Sequence, residues 1–440
     1  MVSRPLSTQP HLLECGDCGT IQHLPAIAPG ERAICPFCDA VLRQARRDPF
    51  TPPLALNLAA LAMFAVGALL TLMSVSSGGK SRDAGLFTGP AELSDFGLWE
   101  LSVVILATTV AVPLARILCM LAVLIGLRLE HRPPGVRILF AWISHLRPWS
   151  MVEIFLLGLF VAYVRLSDIV HIDIGPAIAG LAGLTIAMVA ADAVLDEHAI
   201  WEALDEQPPK TQEPRHPAHL LGAKLSRMGC DTCKLVSRGR EGALCPRCGF
   251  ALHHRKPHSL TRTWALMIAA AVLYIPANTY PILTVIQLGA GHPSTILGGV
   301  RELLEAGMWP LAALVFFASI AVPVLKFAGL TLLLVTTMRG MRTRQADRTV
   351  LYRIVDAVGR WSMIDIFMES ILVALVQFGA VVTIAPGVGA IAFAAVVILT
   401  MLAARSFDPR LIWDRAADPE PEAEPETGLQ DPLFGKSLHE

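Results

Sequence analysis

Eight long apolar segments constrain what this chain can fold into more than any other feature of its sequence. They cover residues 54–76, 98–127, 149–170 and 174–195 in the first half, and 263–285, 308–338, 361–384 and 386–404 in the second. An α-helix needs about 20 apolar residues to cross the roughly 30 Å hydrocarbon core of a bilayer. Only 17% of the residues are charged, whereas about 25% is usual in soluble domains. We therefore predict an all-α polytopic membrane protein with eight transmembrane helices.

The charge balance and the absence of catalytic motifs exclude two further classes of protein. The chain has 36 Lys and Arg residues against 37 Asp and Glu residues, a net charge of −1. No overall basic field is available to hold nucleic acid, so we expect no nucleic-acid partner. The sequence contains no Walker loop, GxSxG elbow or HExxH helix, and we predict that it is not an enzyme.

Sequence motifs recur at an interval of just over 200 residues. The string AVPLAR that ends at Arg116 recurs 210 residues later as AVPVLK, which ends at Lys326. The string WSMVE that ends at Glu153 recurs 212 residues later as WSMID, which ends at Asp365. Because four spans separate the copies, both would have the same orientation in the membrane.

This repeat predicts two units, each a small ribbon followed by four helices. The predicted domains are a first ribbon (1–50), a first membrane unit (51–201), a linker (202–226), a second ribbon (227–258), a second membrane unit (259–413) and an acidic, Pro-rich tail (414–440). The tail has too little apolar content to bury a core, so we expect it to be disordered.

Eight of the nine cysteines fall in CxxC pairs. The pairs are Cys15/Cys18, Cys35/Cys38, Cys230/Cys233 and Cys245/Cys248. Two such pairs at this spacing are typical of a zinc ribbon, in which four thiolates surround one tetrahedral ion. We predict two structural zinc ions. The alternatives are dithiol redox pairs or, in an oxidising compartment, disulfides.

Other potential ligands near the ribbons are weaker candidates. The lone Cys119 lies in an apolar run, which indicates a small apolar filler. His253, His254 and His258 follow the second ribbon. A basic cluster at the membrane interface explains these histidines more simply than additional metal ligands.

The arginines of the loops predict the orientation. Loops 128–148 and 339–360 carry ten arginines, whereas the loops on the opposite side carry only four basic residues. The positive-inside rule then places the ribbons and both termini in the cytoplasm. Thiols stay reduced there, which agrees with zinc binding.

Three ionisable residues of the second unit lie inside predicted spans. Lys326, Asp365 and Glu369 lie at depths compatible with pairing, and such residues cost about 2.5–3.5 kcal/mol each to insert. Ser319, Ser362 and Thr400 could contribute hydroxyl groups to the same site. The first unit keeps Arg116 and Glu153 at matching positions but has leucine where Glu369 would be.

Two interpretations of this polar cluster remain open. A buried pair could simply fasten two helices together, or the cluster could couple protonation or conformation to transport. For Arg116 and for Arg165 of the first unit, snorkelling toward the interface is a further alternative.

The tandem ribbons and the strings AVPxxK, WSMxDIF and SFDPRLIW together resemble the paraquat-inducible protein A family, over about residues 11–413. The two-unit organisation is similar to the inner-membrane component of lipophilic envelope-spanning tunnel systems. The resemblance implies a Gram-negative inner-membrane protein that moves lipids between membranes with a periplasmic tunnel of mammalian cell entry (MCE) domains. It carries Lys326, Ser362 and Asp365 over as a polar site, but no functional residue of the first unit.

Two other functions remain as alternatives to lipid transport. The CxxC pairs could belong to a membrane thiol or quinone redox protein, and the spans to a secondary transporter of small solutes. Zinc content distinguishes a redox protein from a lipid transporter. A neighbouring MCE-domain gene distinguishes a lipid transporter from a transporter of small solutes.

Overall fold

The computed structural model describes most of the chain, and the statements below concern its described residues. These are residues 11–24, 27–77, 80–129, 135–167, 171–205, 226–287, 290–376 and 382–414. The predicted acidic tail and most of the predicted linker lie outside them.

The chain is mostly helical, and the same order of elements occurs in both halves. The first half contains α1 (Thr51–Leu69), β5 (Met73–Ser77), β6 (Lys80–Ala84), α2 (Thr88–Asp95), α3 (Trp99–Leu106), α4 (Val112–Gly126), α5 (Val136–Leu146), α6 (Val152–Ser167), β7 (His171–Ile174), α7 (Ala177–Val194) and α8 (Glu197–Asp205). The second half contains α9 (Ser259–Thr279), β10 (Leu283–Gln287), β11 (Ala290–Ser294), α10 (Ile296–Glu305), α11 (Trp309–Phe316), α12 (Val322–Met338), α13 (Gln345–Gly359), α14 (Ile364–Leu375), β12 (Val382–Pro386), α15 (Val388–Ser406) and α16 (Leu411–Asp414).

Seven helical stretches of the described chain are long and apolar enough to cross a membrane. The prediction of eight spans is not confirmed, because the segment predicted at 361–384 is represented by α14, which has only 12 residues. A 3₁₀ turn at Arg360–Met363 precedes α14. Every residue of α14 is buried, so its lipid-like composition reflects a protein interior rather than a lipid-facing surface.

The two long second spans each contain a π-bulge, at residues 107–111 and 317–321. A proline follows each bulge, Pro113 in the first half and Pro323 in the second. A proline ring clashes with the carbonyl four residues earlier, and the helix relieves the clash by widening locally. The bulge of the second half contains Ser319, which is thereby placed at an irregular turn deep in the bundle.

The helices α6 and α14 meet at the centre of the molecule. The rings of Phe155 and Phe367 pack edge to face at 5.7 Å. A Cβ atom on Gly158 would lie 3.2 Å from the carbonyl oxygen of Ile364, so a larger residue there would push the two helices slightly apart. The flanking pairs α1–α7 and α9–α15 pack along their lengths.

At one end of the bundle, the loops of each half form a three-stranded antiparallel sheet. The strand orders are β6-β5-β7 and β11-β10-β12. The all-α prediction was therefore incomplete outside the ribbons. The alternation of side chains that is typical of a strand is present, since Met73 and Val75 are both buried. It lies at the end of an apolar run, however, and this run resembles a continuing helix. We call this the sheet end of the molecule.

Both ribbons lie at the opposite end, which we call the ribbon end. Ribbon 1 contains β1 (His11–Glu14), β2 (Ile21–Leu24), β3 (Arg32–Ile34) and β4 (Val41–Gln44), and ribbon 2 contains β8 (Ser226–Gly229) and β9 (Val236–Gly239). The ribbons touch through a bridge between Leu13 and Leu235, and the amide of Gly229 donates to Glu14 Oε2 at 2.6 Å.

Candidate functional site

The four cysteines of each ribbon converge on one point. The closest sulfur pairs are Cys15–Cys38 at 3.5 Å, Cys18–Cys35 at 3.6 Å, Cys230–Cys248 at 3.5 Å and Cys233–Cys245 at 3.5 Å. A tetrahedral zinc ion with Zn–S bonds of about 2.3 Å holds its sulfurs about 3.8 Å apart, whereas disulfide sulfurs lie about 2.05 Å apart. Each buried cluster could therefore hold one metal ion.

The backbone of the four CxxC turns is adapted to this geometry. The residue after each pair has a positive φ: Gly19 (75°), Asp39 (57°), Lys234 (60°) and Gly249 (77°). This left-handed turn closes the knuckle and suits glycine best. The metal-capable groups in the described chain contain only the eight cysteines, and the three histidines after ribbon 2 are not part of them. Cys119 packs against the apolar cluster beneath ribbon 2, as predicted for a filler.

The apolar contacts of the ribbons lie crosswise on the two halves, although Arg43 of ribbon 1 also lies 3.3 Å from Glu202 of the first half. Ribbon 2 shares an apolar cluster with helices of the first half, including Phe140 of α5 and Trp201 of α8. The cysteines of ribbon 1 instead pack against Trp413 of the second half. Arg353 of α13 donates to Asp17 Oδ2 and to the carbonyl oxygen of Cys38, both at 2.8 Å.

A charged cluster fastens the ribbons to the end of the second half. Arg410 lies 3.2 Å from Glu14 of ribbon 1, 3.0 Å from Asp231 of ribbon 2 and 2.9 Å from Asp408. Burial alone would raise the pKa of Asp408, but hydrogen bonds and charge from Arg410 outweigh it and lower that pKa below its ordinary value. The cluster thus links three parts of the chain that are far apart in sequence.

Within the membrane region, the structure separates the predicted polar cluster into two sites. Lys326 does not pair with a carboxylate in the described chain. Its Nζ donates to Thr400 Oγ1 at 2.8 Å and to the carbonyl oxygen of Gly359 at 3.2 Å. The hydroxyl of Thr400 was a minor element of the predicted site, and the structure places it in direct contact with the ammonium group.

Asp365 and Glu369 form the second site, on the buried face of α14. Both face a cavity of about 50 Å³, which Ser319 and Arg165 also line. Both carboxylate oxygens of Asp365 lack a hydrogen-bond partner within the described residues, and so does Oε1 of Glu369. The hydroxyl of Ser362, which is fully buried, also lacks a partner there. The cavity is large enough for water, which needs about 10–15 Å³.

The matching residues of the first half are paired. Arg116 forms an ion pair with Asp192, and Glu153 Oε1 lies 3.6 Å from Arg360. These charges lie near the ribbon end of the helices. Asp192, two residues before the end of α7, was not among the predicted site residues.

Arg165 is a residue that the sequence analysis did not assign to the polar site. Snorkelling was one alternative for it, and the structure places it in the wall of the cavity that Asp365 and Glu369 also line. This cavity lies between α6 of one half and α14 of the other. Only a known packing of these helices could have identified it.

The chain matches a known family in both halves. The family described as Paraquat-inducible protein A matches residues 50–205 and 260–417. "Intermembrane transport protein PqiA" of Escherichia coli K12 is 34% identical over 418 residues, which cover 94% of this chain and 97% of that protein.

More distant relatives also span most of the chain. "Lipophilic envelope-spanning tunnel protein A" of Escherichia coli K12 is 30% identical over 91% of this chain and 90% of its own length. A "Probable intermembrane transport protein" of Haemophilus influenzae is 26% identical over 91% of this chain. No solved structure matches. With the family matched over both membrane halves and relatives aligned almost end to end, this membrane protein belongs to the Paraquat-inducible protein A family.

Proposed function

We propose that this chain is the inner-membrane component of a lipid-transport system and exchanges lipids with a periplasmic tunnel of MCE domains. The observation that carries the proposal is the near end-to-end relationship to proteins named for intermembrane transport and for an envelope-spanning tunnel. An orientation with the ribbon end and both termini in the cytoplasm follows from the arginine-rich loops.

The sheet end supports a docking role. Its sheets and the helices α2 and α10 are too small to enclose a conduit, so a lipid that leaves the bilayer here needs another protein. Several large apolar side chains are exposed on this end, among them Phe87, Phe96, Leu297 and Leu304. Exposed apolar groups on a polar rim are typical of protein contact sites.

Asp365 and Glu369 supply the proposed switch. An ionised carboxylate buried without a partner costs several kcal/mol, and the cost is removed when the group gains a proton or a counter-ion. Protonation from the cavity would therefore favour the packing seen here, and deprotonation would favour a state in which water or Arg165 reaches α14 more closely. The other polar site, around Lys326 and Thr400, holds α12 against α15 beside α14.

We also propose that the metal in both ribbons is zinc. Four buried thiolates with these sulfur separations are the donor set of a closed structural site, which has no open coordination position for substrate. Elemental analysis of gently purified protein should give two zinc ions per chain. A redox protein would instead show thiols and disulfides that interconvert without bound metal.

Site-specific photocrosslinking in living cells tests the partner. Photoreactive residues at Phe87 and Leu297 should capture an MCE-domain protein. The same residue at Leu244, which is exposed at the ribbon end, is the matched control and should not capture it. If cells that contain such a protein yield no product at the sheet end, a secondary transporter of small solutes becomes the better proposal.

A further inference from the structure

A large apolar groove opens along the first half of the membrane region. It has a volume of about 680 Å³ and is lined chiefly by α6 and α7, including Leu157, Phe160 and Ala182. Trp361 of the second half forms part of its wall. The volume lies within the range of about 300–1,000 Å³ that is usual for ligand pockets. We call this cavity the lateral groove.

The lateral groove continues into a charged chamber nearer the ribbon end. The chamber has a volume of about 390 Å³. Glu153 and Arg360 line both cavities, so the two spaces adjoin. The chamber is also lined by Arg116, Arg147 and Ser150, and by Asp192 of α7. The combined space therefore has an apolar body and a polar head.

The chamber wall carries more positive than negative groups. Three arginines and two carboxylates line it, and a third carboxylate, that of Glu197, lies 3.6 Å from Arg147 outside this lining. Arg147 lies 3.4 Å from Asp192, and Arg360 lies 3.6 Å from Glu153. Both separations exceed the 2.7–2.9 Å of a strong charge-assisted hydrogen bond. Both guanidinium groups are also partly exposed, so they retain donors for a further anion.

Ser150 provides a second, independent indication of a ligand. The residue is 3% exposed, and its hydroxyl has no hydrogen-bond partner among the described residues. A buried hydroxyl without a partner costs roughly 1–3 kcal/mol. An anionic oxygen in the chamber would accept from Ser150 and from the arginines together.

The matching positions of the second half are arranged differently. The residues that correspond to Arg147 and Glu153 are Gly359 and Asp365. The cavity beside Asp365 has a volume of about 50 Å³, and Lys326 donates to the carbonyl oxygen of Gly359. The arginine-lined chamber is therefore not repeated at these positions of the described chain.

We propose that the lateral groove and the chamber together bind one glycerophospholipid, with its phosphate at Arg147, Arg360 and Ser150 and its acyl chains along α6 and α7. Guanidinium groups match phosphate oxygens in charge and geometry, and the greater number of positive groups in the chamber wall favours an anionic headgroup. The inference rests on the proposed function in that it names the substrate class and the place where the substrate enters the protein.

Photolabelling of the purified full-length protein in nanodiscs tests the site. The probe is phosphatidylglycerol with a photoreactive acyl chain, and peptide mapping locates the adducts. They should concentrate at Leu157 and Phe160 of the groove rather than at Ile268, which is exposed on α9. An even distribution over the exposed helix surfaces would overturn the proposal, because it would indicate only bulk lipid.

Headgroup recognition is tested with matched arginine variants. Labelling at Leu157 should fall about a hundredfold in Arg147→Gln/Arg360→Gln, since each of the two lost charge-assisted hydrogen bonds contributes about tenfold. Arg128→Gln, which removes an exposed arginine at the same end, should leave labelling unchanged. A photoreactive diacylglycerol, which lacks phosphate, should label weakly and be insensitive to both variants. An equal loss of labelling in Arg128→Gln and in the double variant Arg147→Gln/Arg360→Gln would overturn the site.

A further variant separates this inference from the proposed function. Ala182→Phe should fill the groove, abolish labelling and stop lipid delivery to an MCE-domain protein, whereas Ile268→Phe should do neither. Labelling of the groove without any delivery would contradict the transport function but not the binding site. Delivery that persists in Ala182→Phe with groove labelling lost would overturn the role of the site in substrate entry.

Discussion

The two halves of the membrane region place similar charges in opposite environments. In the first half, Glu153 lies beside Arg360 and its side chain is 42% exposed. In the second half, Asp365 occupies the matching position on a helix that is buried throughout, and neither of its oxygens has a partner in the described chain. The duplicated sequence pattern has therefore produced one carboxylate that lies beside an arginine and one carboxylate that has no hydrogen-bond partner in the described chain.

The difference has a physical cause. Helix α6 faces the lateral groove on one side, so water and lipid headgroups can solvate its charged end. Helix α14 is enclosed by α2, α6 and the sheet of its own half, and its carboxylates depend on a proton or on Arg165. An uncompensated charge of this kind is costly and tends to persist only where function requires it.

The largest expected effect is on transport. Asp365→Asn should abolish lipid delivery, because an amide cannot exchange a proton, whereas Glu153→Gln should retain most of it. Delivery in reconstituted vesicles and complementation of a deletion strain measure the difference, with membrane abundance as the control for folding. Two equally inactive variants would remove the functional distinction between the halves.

Loss of one ribbon should loosen the opposite half, since the apolar contacts of the ribbons lie crosswise. Cys230→Ser should reduce the zinc content from two ions to one and increase hydrogen exchange in α5 of the first half. Cys15→Ser should do the same for α13 of the second half. Structural zinc contributes on the order of 10 kcal/mol to small ribbons, so local unfolding is expected. Exchange confined to the ribbon's own half would contradict the crossed packing.

Glu369 and Leu157 occupy matching positions in the two halves. Replacing each by the residue of the other half should change stability in opposite directions. Glu369→Leu removes a buried carboxyl and should leave stability equal or raised, because apolar replacement of buried charge is often tolerated. Leu157→Glu introduces a charge beside the groove and should cost up to about 3 kcal/mol. Thermal unfolding in detergent measures both changes. A stability loss in Glu369→Leu would indicate that Glu369 has a structural partner.

The smallest effect concerns acid stability at the ribbon end. Because the native pKa of Asp408 lies below the unfolded value of about 3.9, its contribution is complete above that pH and is lost as the pH falls through the native pKa. Asp408→Asn should remove this component of stability. Asp196, the matching residue of the first half, accepts from the amide of Ala199 at 3.1 Å and has no arginine partner within the described residues. Its replacement by Asn should change the acid transition less.

The fold was predictable wherever a local pattern determines it. Apolar length identified seven helical spans, and the CxxC spacing identified both four-sulfur clusters. The segment at 361–384 was harder, because a fully buried helix and a lipid-exposed helix have the same composition. The π-bulges were signalled by Pro113 and Pro323, which lie inside long helices.

The candidate site was predictable in membership but not in pairing. Residue counting gave Lys326, Asp365 and Glu369 compatible depths, yet depth does not specify which way a side chain points around its helix. The structure directs Lys326 toward Thr400 and the carbonyl of Gly359, and Asp365 toward a cavity on another side. Rotation of packed helices is a tertiary property.

The sequence by itself determined the membrane character of this protein, its two cysteine clusters and the family to which it belongs, because apolar length, ligand spacing and short motifs are local along the chain. Only the tertiary structure decided that the apolar contacts of each ribbon lie on the half that it does not precede, that Arg165 lies beside Asp365 and Glu369, and that α6 and α7 open a groove. These features depend on contacts between segments that are separated along the chain. Such contacts form wherever burial of apolar surface and compensation of charge are most favourable, and no local pattern specifies that choice.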